Sequence, residues 1–333
     1  MDSIVAAPPP YKSRRGWLIA FGVVEILFGC LFLLMIALSA FAFFGPAAAG
    51  MPPGAMAVAP VSRSTLMVLV ALQYGILAAV FFTGGIGSIR CLNWARVLMM
   101  AVSGLWLGLG VIATIGLALM FRVMRAQPAV PTPNMQHAIM AGMMIGATVF
   151  MILLPAVFLF FYTRESVKAT CLARTGVEAA PLGRGESGLP DSLAALGVWE
   201  GLSAVAVFAL FFMQVALVFG FVVHGVLAVV IMLAHSILSA YAAWSIFRQK
   251  VIGWNIAMAK AAFWTMSTAV TYLRHPDLQQ VYRDMGINTR APSLYEQFPQ
   301  LLPVFWVGMI VGFTALIVFL LYTRKYFPPE RRA

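Results

Sequence analysis

The chain has 333 residues, of which 62% are hydrophobic and 10% charged, with a net charge of +11 and a mean hydropathy of +0.92. Soluble domains carry about 25% charged residues, so a single water-solvated globule is excluded, and apolar runs of about 20 residues mark transmembrane helices. The surplus Lys and Arg flank those runs, which ties the charge to membrane topology rather than to nucleic acid.

A Pro-rich tail, 1–16, precedes a first span over 17–43. Lys12, Arg14 and Arg15 resemble the basic region of a signal peptide. The apolar run that follows exceeds the roughly 7–15 residues of a signal core, so it reads as a retained span. An Ala/Gly/Pro-rich loop over 44–64 leads to span 2, 65–88, and the basic loop of Arg90, Asn93, Trp94 and Arg96 leads to span 3, 97–121. A Pro-rich loop over 122–137 and span 4, 138–162, complete a first module over 17–162. Residues 163–192 are polar and rich in Gly and Pro towards their end, the composition of a linker.

The pattern then restarts over 193–322. Span 5 is expected over 193–219, a short turn holds His224, and span 6 covers 225–247. Span 7 follows over 251–273, then a loop over 274–298, span 8 over 299–322 and a tail over 323–333. Leu278, Val281, Tyr282 and Met285 give that loop an amphipathic spacing suited to the outer membrane surface. Closed backbone hydrogen bonding in lipid requires helices or a barrel, and the long runs show no two-residue alternation. The expected fold is therefore all-α, a polytopic membrane protein of eight transmembrane helices.

Three matches in the same order point to duplication. Gly22-Val23-Val24-Glu25 is echoed by Gly197-Val198-Trp199-Glu200, Ser88-Ile89-Arg90 with Trp94 by Ser245 to Arg248 with Trp254, and Tyr162-Thr163-Arg164 by Tyr322-Thr323-Arg324. Most of the 22 Lys and Arg residues fall in the two tails, the linker and the loops at 90–96 and 248–250. That side is expected to be cytoplasmic, with both termini. Four spans per module give both modules the same orientation, as in parallel repeats.

The candidate polar residues within spans are Glu25, Glu200, Lys260 and His235. A carboxylate in a membrane helix is costly and defaults to a functional or bundle-locking role. Glu25 and Glu200 lie roughly 12 Å from the inner ends of their helices and Lys260 about 13 Å, so a Glu200–Lys260 contact is expected. Alignment through the two tryptophans places Met100 opposite Lys260. Glu25 must then use Arg90 or Arg96, or be protonated. His224 and His235 share a helix face about 16 Å apart, which does not suit one haem iron. Cys30, Cys91 and Cys171 show no CxxC spacing, and the methionines are not interleaved with Cys or His, so neither a metal nor another cofactor is expected. Four GxxxG patterns within the expected spans, including Gly197/Gly201 and Gly104/Gly108, permit close helix approach. No GxxxxGK[ST], HExxH or GxSxG occurs, and enzymatic activity is not expected.

Ser88-Ile89-Arg90 with Asn93-Trp94-Ala95-Arg96, and Tyr162-Thr163-Arg164 through Val167-Lys168-Ala169-Thr170-Cys171, resemble uncharacterised bacterial four-span inner-membrane proteins. The resemblance implies a four-helix module without an assigned activity, which is expected to be duplicated here. The expected role is a binding or assembly scaffold in a bacterial inner membrane. Its partners would be the lipid bilayer and another membrane protein or a second copy of the chain, and nucleic acid is not expected. The alternative is a transporter of a small or lipidic solute, proton-coupled through Glu25 and Glu200.

Overall fold

The computed structural model describes residues 13–44, 63–125, 133–174, 189–210, 214–274 and 301–327. Helix α1 is Arg15–Phe44, α2 is Arg63–Ile89 and α3 is Asn93–Arg125. The next helix is compound: α4 (Pro133–Ala147), a π-helical stretch Thr148–Leu153, then α5 (Leu154–Thr163). There follow α6 (Glu165–Arg174), α7 (Asp191–Leu210), α8 (Gly225–Phe247), α9 (Val251–Arg274) and α10 (Leu301–Thr323).

Among the described residues, six stretches are long and apolar enough to cross a membrane: Arg15–Phe44, Met67–Ile89, Asn93–Ala118, Met140–Thr163, Gly225–Phe247 and Val307–Tyr326. They fit a multi-pass integral membrane protein. The expected count of eight is not reached by this measure. α7 and α9, which carry Glu200 and Lys260, are helical but fall outside the six.

Span 5 was expected to run unbroken to residue 219, and here the structure differs. α7 ends at Leu210, and strands β1 (Val215–Val218) and β2 (Phe221–His224) form an antiparallel hairpin. Twenty residues of α7 already reach about 30 Å, the thickness of a bilayer core. Beyond them, β-branched and aromatic residues flank Phe219-Gly220, whose φ values of 51° and 79° make a two-residue turn with both centres left-handed. Helix α9 holds the turn. Ser267 Oγ accepts from the Phe219 N–H at 2.9 Å and Thr271 Oγ1 from the Gly220 N–H at 2.9 Å. Side-chain hydroxyls thus satisfy backbone donors that the hairpin cannot pair. The polar linker also differs from expectation in containing α6. The amphipathic loop around Leu278 and the linker glycines lie outside the described residues.

Close packing decides which helices pair. A side-chain carbon at Gly22 would stand 2.7 Å from the Gly85 carbonyl, and one at Gly85 2.8 Å from the Ile26 side chain. α1 and α2 therefore meet backbone to backbone. α7 and α8 meet at the matching place more loosely, with Gly201 4.0 Å from the Ala243 methyl and Gly197 against the Phe247 ring. Gly104/Gly108, by contrast, face open space. On the compound helix, Pro155 has no N–H for the Met151 carbonyl. The ladder ahead of it widens, with the Leu154 N–H bonding Val149. The Met151 carbonyl lies against Gly110 of α3, where no side chain fits.

The two ends of the chain fill their interiors differently. Around α1–α5 the core is aromatic: Phe21 stacks on Phe161 at 4.0 Å, and Phe158, Tyr162 and Phe81 are fully buried. Around α7–α10 it is aliphatic and small: Leu193, Leu196, Ile246, Ala257, Ala261 and Leu320.

Candidate functional site

Glu25 projects from α1 against the last turns of α2 and α5. Ser88 donates to Glu25 Oε2 at 3.0 Å, and the Tyr162 hydroxyl donates to Oε1. The two hydroxyls lie 2.9 Å apart. All three side chains are buried, at 0–1% exposure. Two hydroxyl protons thus serve three oxygen–oxygen contacts.

The cations expected beside Glu25 are elsewhere, and no ion pair of Glu25 occurs among the described residues. Arg96 is buried one turn into α3. Its Nε donates to Asn93 Oδ1 at 3.0 Å, its Nη1 donates to the Tyr162 carbonyl at 3.1 Å, and its Nη2 stands 2.8 Å from Asp191 Oδ1. Lys168 of α6 reaches the other oxygen of Asp191 at 3.4 Å. Asp191 opens α7, where a carboxylate also favours the positive end of the helix dipole. It therefore ties the first helix of the second half to α3 of the first half and to α6 of the linker.

Glu200 meets a cation. Lys260 donates to Glu200 Oε2 and to Ser239 Oγ, so the contact expected from matching depth is formed. A buried carboxylate and ammonium that neutralise each other avoid the penalty either would suffer alone. His235 lies one turn along α8 from Ser239. Its Nδ1 accepts from Trp264 Nε1 at 2.8 Å, which leaves the proton of the neutral ring on Nε2. His235 therefore serves the α8–α9 contact.

The depth reading needs correction for Glu25. Ser88 and Tyr162 stand at the very ends of α2 and α5, so Glu25 is level with that rim, because α1 starts well below it. Ser239 and Lys260 lie about two turns further in along α8 and α9. The first acid reaches towards the rim and the second away from it.

The helix junctions follow one geometry. After α2, the N–H of Cys91 bonds Ser88 and that of Leu92 bonds Gly87, with Cys91 at φ 57°. After α8, the N–H of Gln249 bonds Ile246 and that of Lys250 bonds Ser245, with Gln249 at φ 54°. Arg96 then donates to the Tyr162 carbonyl, and Trp254 Nε1 donates to the Leu320 carbonyl at 2.7 Å. A single shift carries every member of the first set onto the second. It sets Lys260 opposite Val102 rather than Met100, and Trp254 opposite Arg96 rather than Trp94.

Sequence reasoning found Glu25, Glu200, Lys260 and His235 but missed Ser88, Tyr162 and Ser239 as their partners. Ser88 and Tyr162 were visible only as repeat markers at the rim, and Ser239 had no signal beyond its place on span 6. No protein-family model, no curated protein and no solved structure matches this chain.

Proposed function

We propose that the protein is a non-enzymatic membrane scaffold. In this reading it consists of two tandem four-helix modules, over 17–162 and 193–322, in the same orientation in a bacterial inner membrane with both termini cytoplasmic. α7 and α9 complete the count of eight spans. The modules hold another membrane protein or a second copy of the chain. The likeness to four-span inner-membrane proteins belongs to the same proposal.

One observation carries it. Each acid is closed within its own half, Glu25 by Ser88 and Tyr162 and Glu200 by Lys260 and Ser239. A carrier would need polar groups lining a shared cavity near the midplane, whereas these bonds lock helices together. The common junction geometry supports the duplication. In the matched register, Ser88 and Tyr162 correspond to Ile246 and Leu320, while Ser239 and Lys260 correspond to Phe81 and Val102. Each half has replaced the other's polar partners with apolar side chains buried in its core.

The test is the Glu25→Gln, Glu200→Gln double variant, purified in mild detergent and also reconstituted in vesicles. A scaffold loses thermal stability and copurifying protein while passing no more and no less solute than the parent. Solute or proton flux through the parent that the double variant abolishes would establish the transporter instead.

A further inference from the structure

We infer that the rim formed by the α8–α9 turn and the end of α10 is a binding surface for anionic phospholipid. Arg248 lies 4.4 Å and Lys250 4.9 Å from the centre of the Trp244 ring. Arg324 lies 5.2 Å from the Trp254 ring. Lys325 is 3.8 Å from the Tyr322 ring and 5.0 Å from that of Tyr326. The Trp254–Leu320 hydrogen bond joins the start of α9 to the end of α10, so the cations share one rim.

Three features select the partner. First, none of the four cations has a carboxylate within ion-pair distance among the described residues. At the corresponding rim of the first half, Asp191 occupies Arg96 and Lys168, which leaves Arg90 and Arg164 without a carboxylate there among the described residues. Second, aromatic rings orient the cations without neutralising them, so each still gains from an anion. Third, exposed apolar side chains continue directly from the rim along the same helices: Tyr241 and Phe247 on α8, Ile252 on α9, Val318 and Leu321 on α10. A phosphate with acyl chains fits the basic edge and the apolar flank together, whereas a free anion uses only the edge. Basic residues at such a surface are attracted to anionic lipid. The inference goes beyond the scaffold reading and does not depend on it.

The experiment uses the full chain in detergent, titrated separately with phosphatidylglycerol, phosphatidylcholine and inorganic phosphate, with bound molecules counted by native mass spectrometry. Phosphatidylglycerol should bind at least about tenfold more tightly than phosphatidylcholine. The R248Q/K250Q/R324Q/K325Q variant should lose that preference, and R90Q/R164Q should keep it. Equal binding of the two lipids, an unchanged preference in the quadruple variant, or displacement of the lipid by millimolar phosphate overturns the inference. Should the quadruple variant not fold, photoactivatable phosphatidylglycerol added to the parent protein decides. Crosslinks concentrated on 241–254 and 318–326 support the surface, and crosslinks spread over all helices overturn it.

Discussion

The two halves meet the same difficulty with different chemistry. In the first, Glu25 is enclosed by two hydroxyls at a rim where an aromatic core closes over it. In the second, Glu200 turns the other way and neutralises a lysine inside an aliphatic core. The backbone frame tolerates either solution because the junctions and the hydrogen bond onto the end of the last helix follow one geometry in both. A buried carboxyl needs only enough donors, and a hydroxyl pair or an ammonium supplies them. The difference shows that the acid's position is a property of the frame, while its partner is a property of each half.

The largest effect should come from separating the charged pair. Lys260→Met leaves Glu200 without its cation and should cost about 3–5 kcal/mol, read as a drop in unfolding midpoint in detergent. Adding Glu200→Met should restore most of it. Adding Ile246→Ser and Leu320→Tyr instead, the first half's hydroxyls in matched positions, should restore part. If that transplant gives no recovery, the registers of the two halves are not equivalent.

Next comes the helix contact. Gly85→Val forces α1 and α2 apart where their backbones touch and should cost about 1–3 kcal/mol. Tyr162→Phe keeps the aromatic packing, removes one donor to Glu25, and should cost roughly 1–2 kcal/mol in the same assay. At the small end, Gly201→Ala has room against Ala243 and should fall within about 0.5 kcal/mol of the parent. A loss at Gly201 equal to that at Gly85 would erase the difference in packing between the halves.

Much of the membrane architecture was legible beforehand. The apolar runs located the six long helices to within a few residues, and depth counting along two helices brought Glu200 to Lys260. The hairpin was not legible, because Val215–Val218 and Phe221–Val223 are as apolar as a helix. Only the hydroxyls of Ser267 and Thr271, distant in sequence, make the turn the better solution. Motif matching also set the two junctions one or two residues out of register, since it aligned tryptophans and tyrosines where the shared geometry lies in hydrogen bonds to the backbone.

Composition and periodicity along the chain committed it to lipid, to helices and to a pair of buried acids, because those depend on local hydrophobicity and on the cost of charge in hydrocarbon. Which donor meets each acid, and that Arg96 serves Asp191 rather than Glu25, depended on how far each helix starts above or below its neighbours. Such offsets come from steric fit between helix surfaces, at Gly22 against Gly85 and Gly110 against Met151, and contacts between remote residues leave no periodic trace along a single strand of sequence.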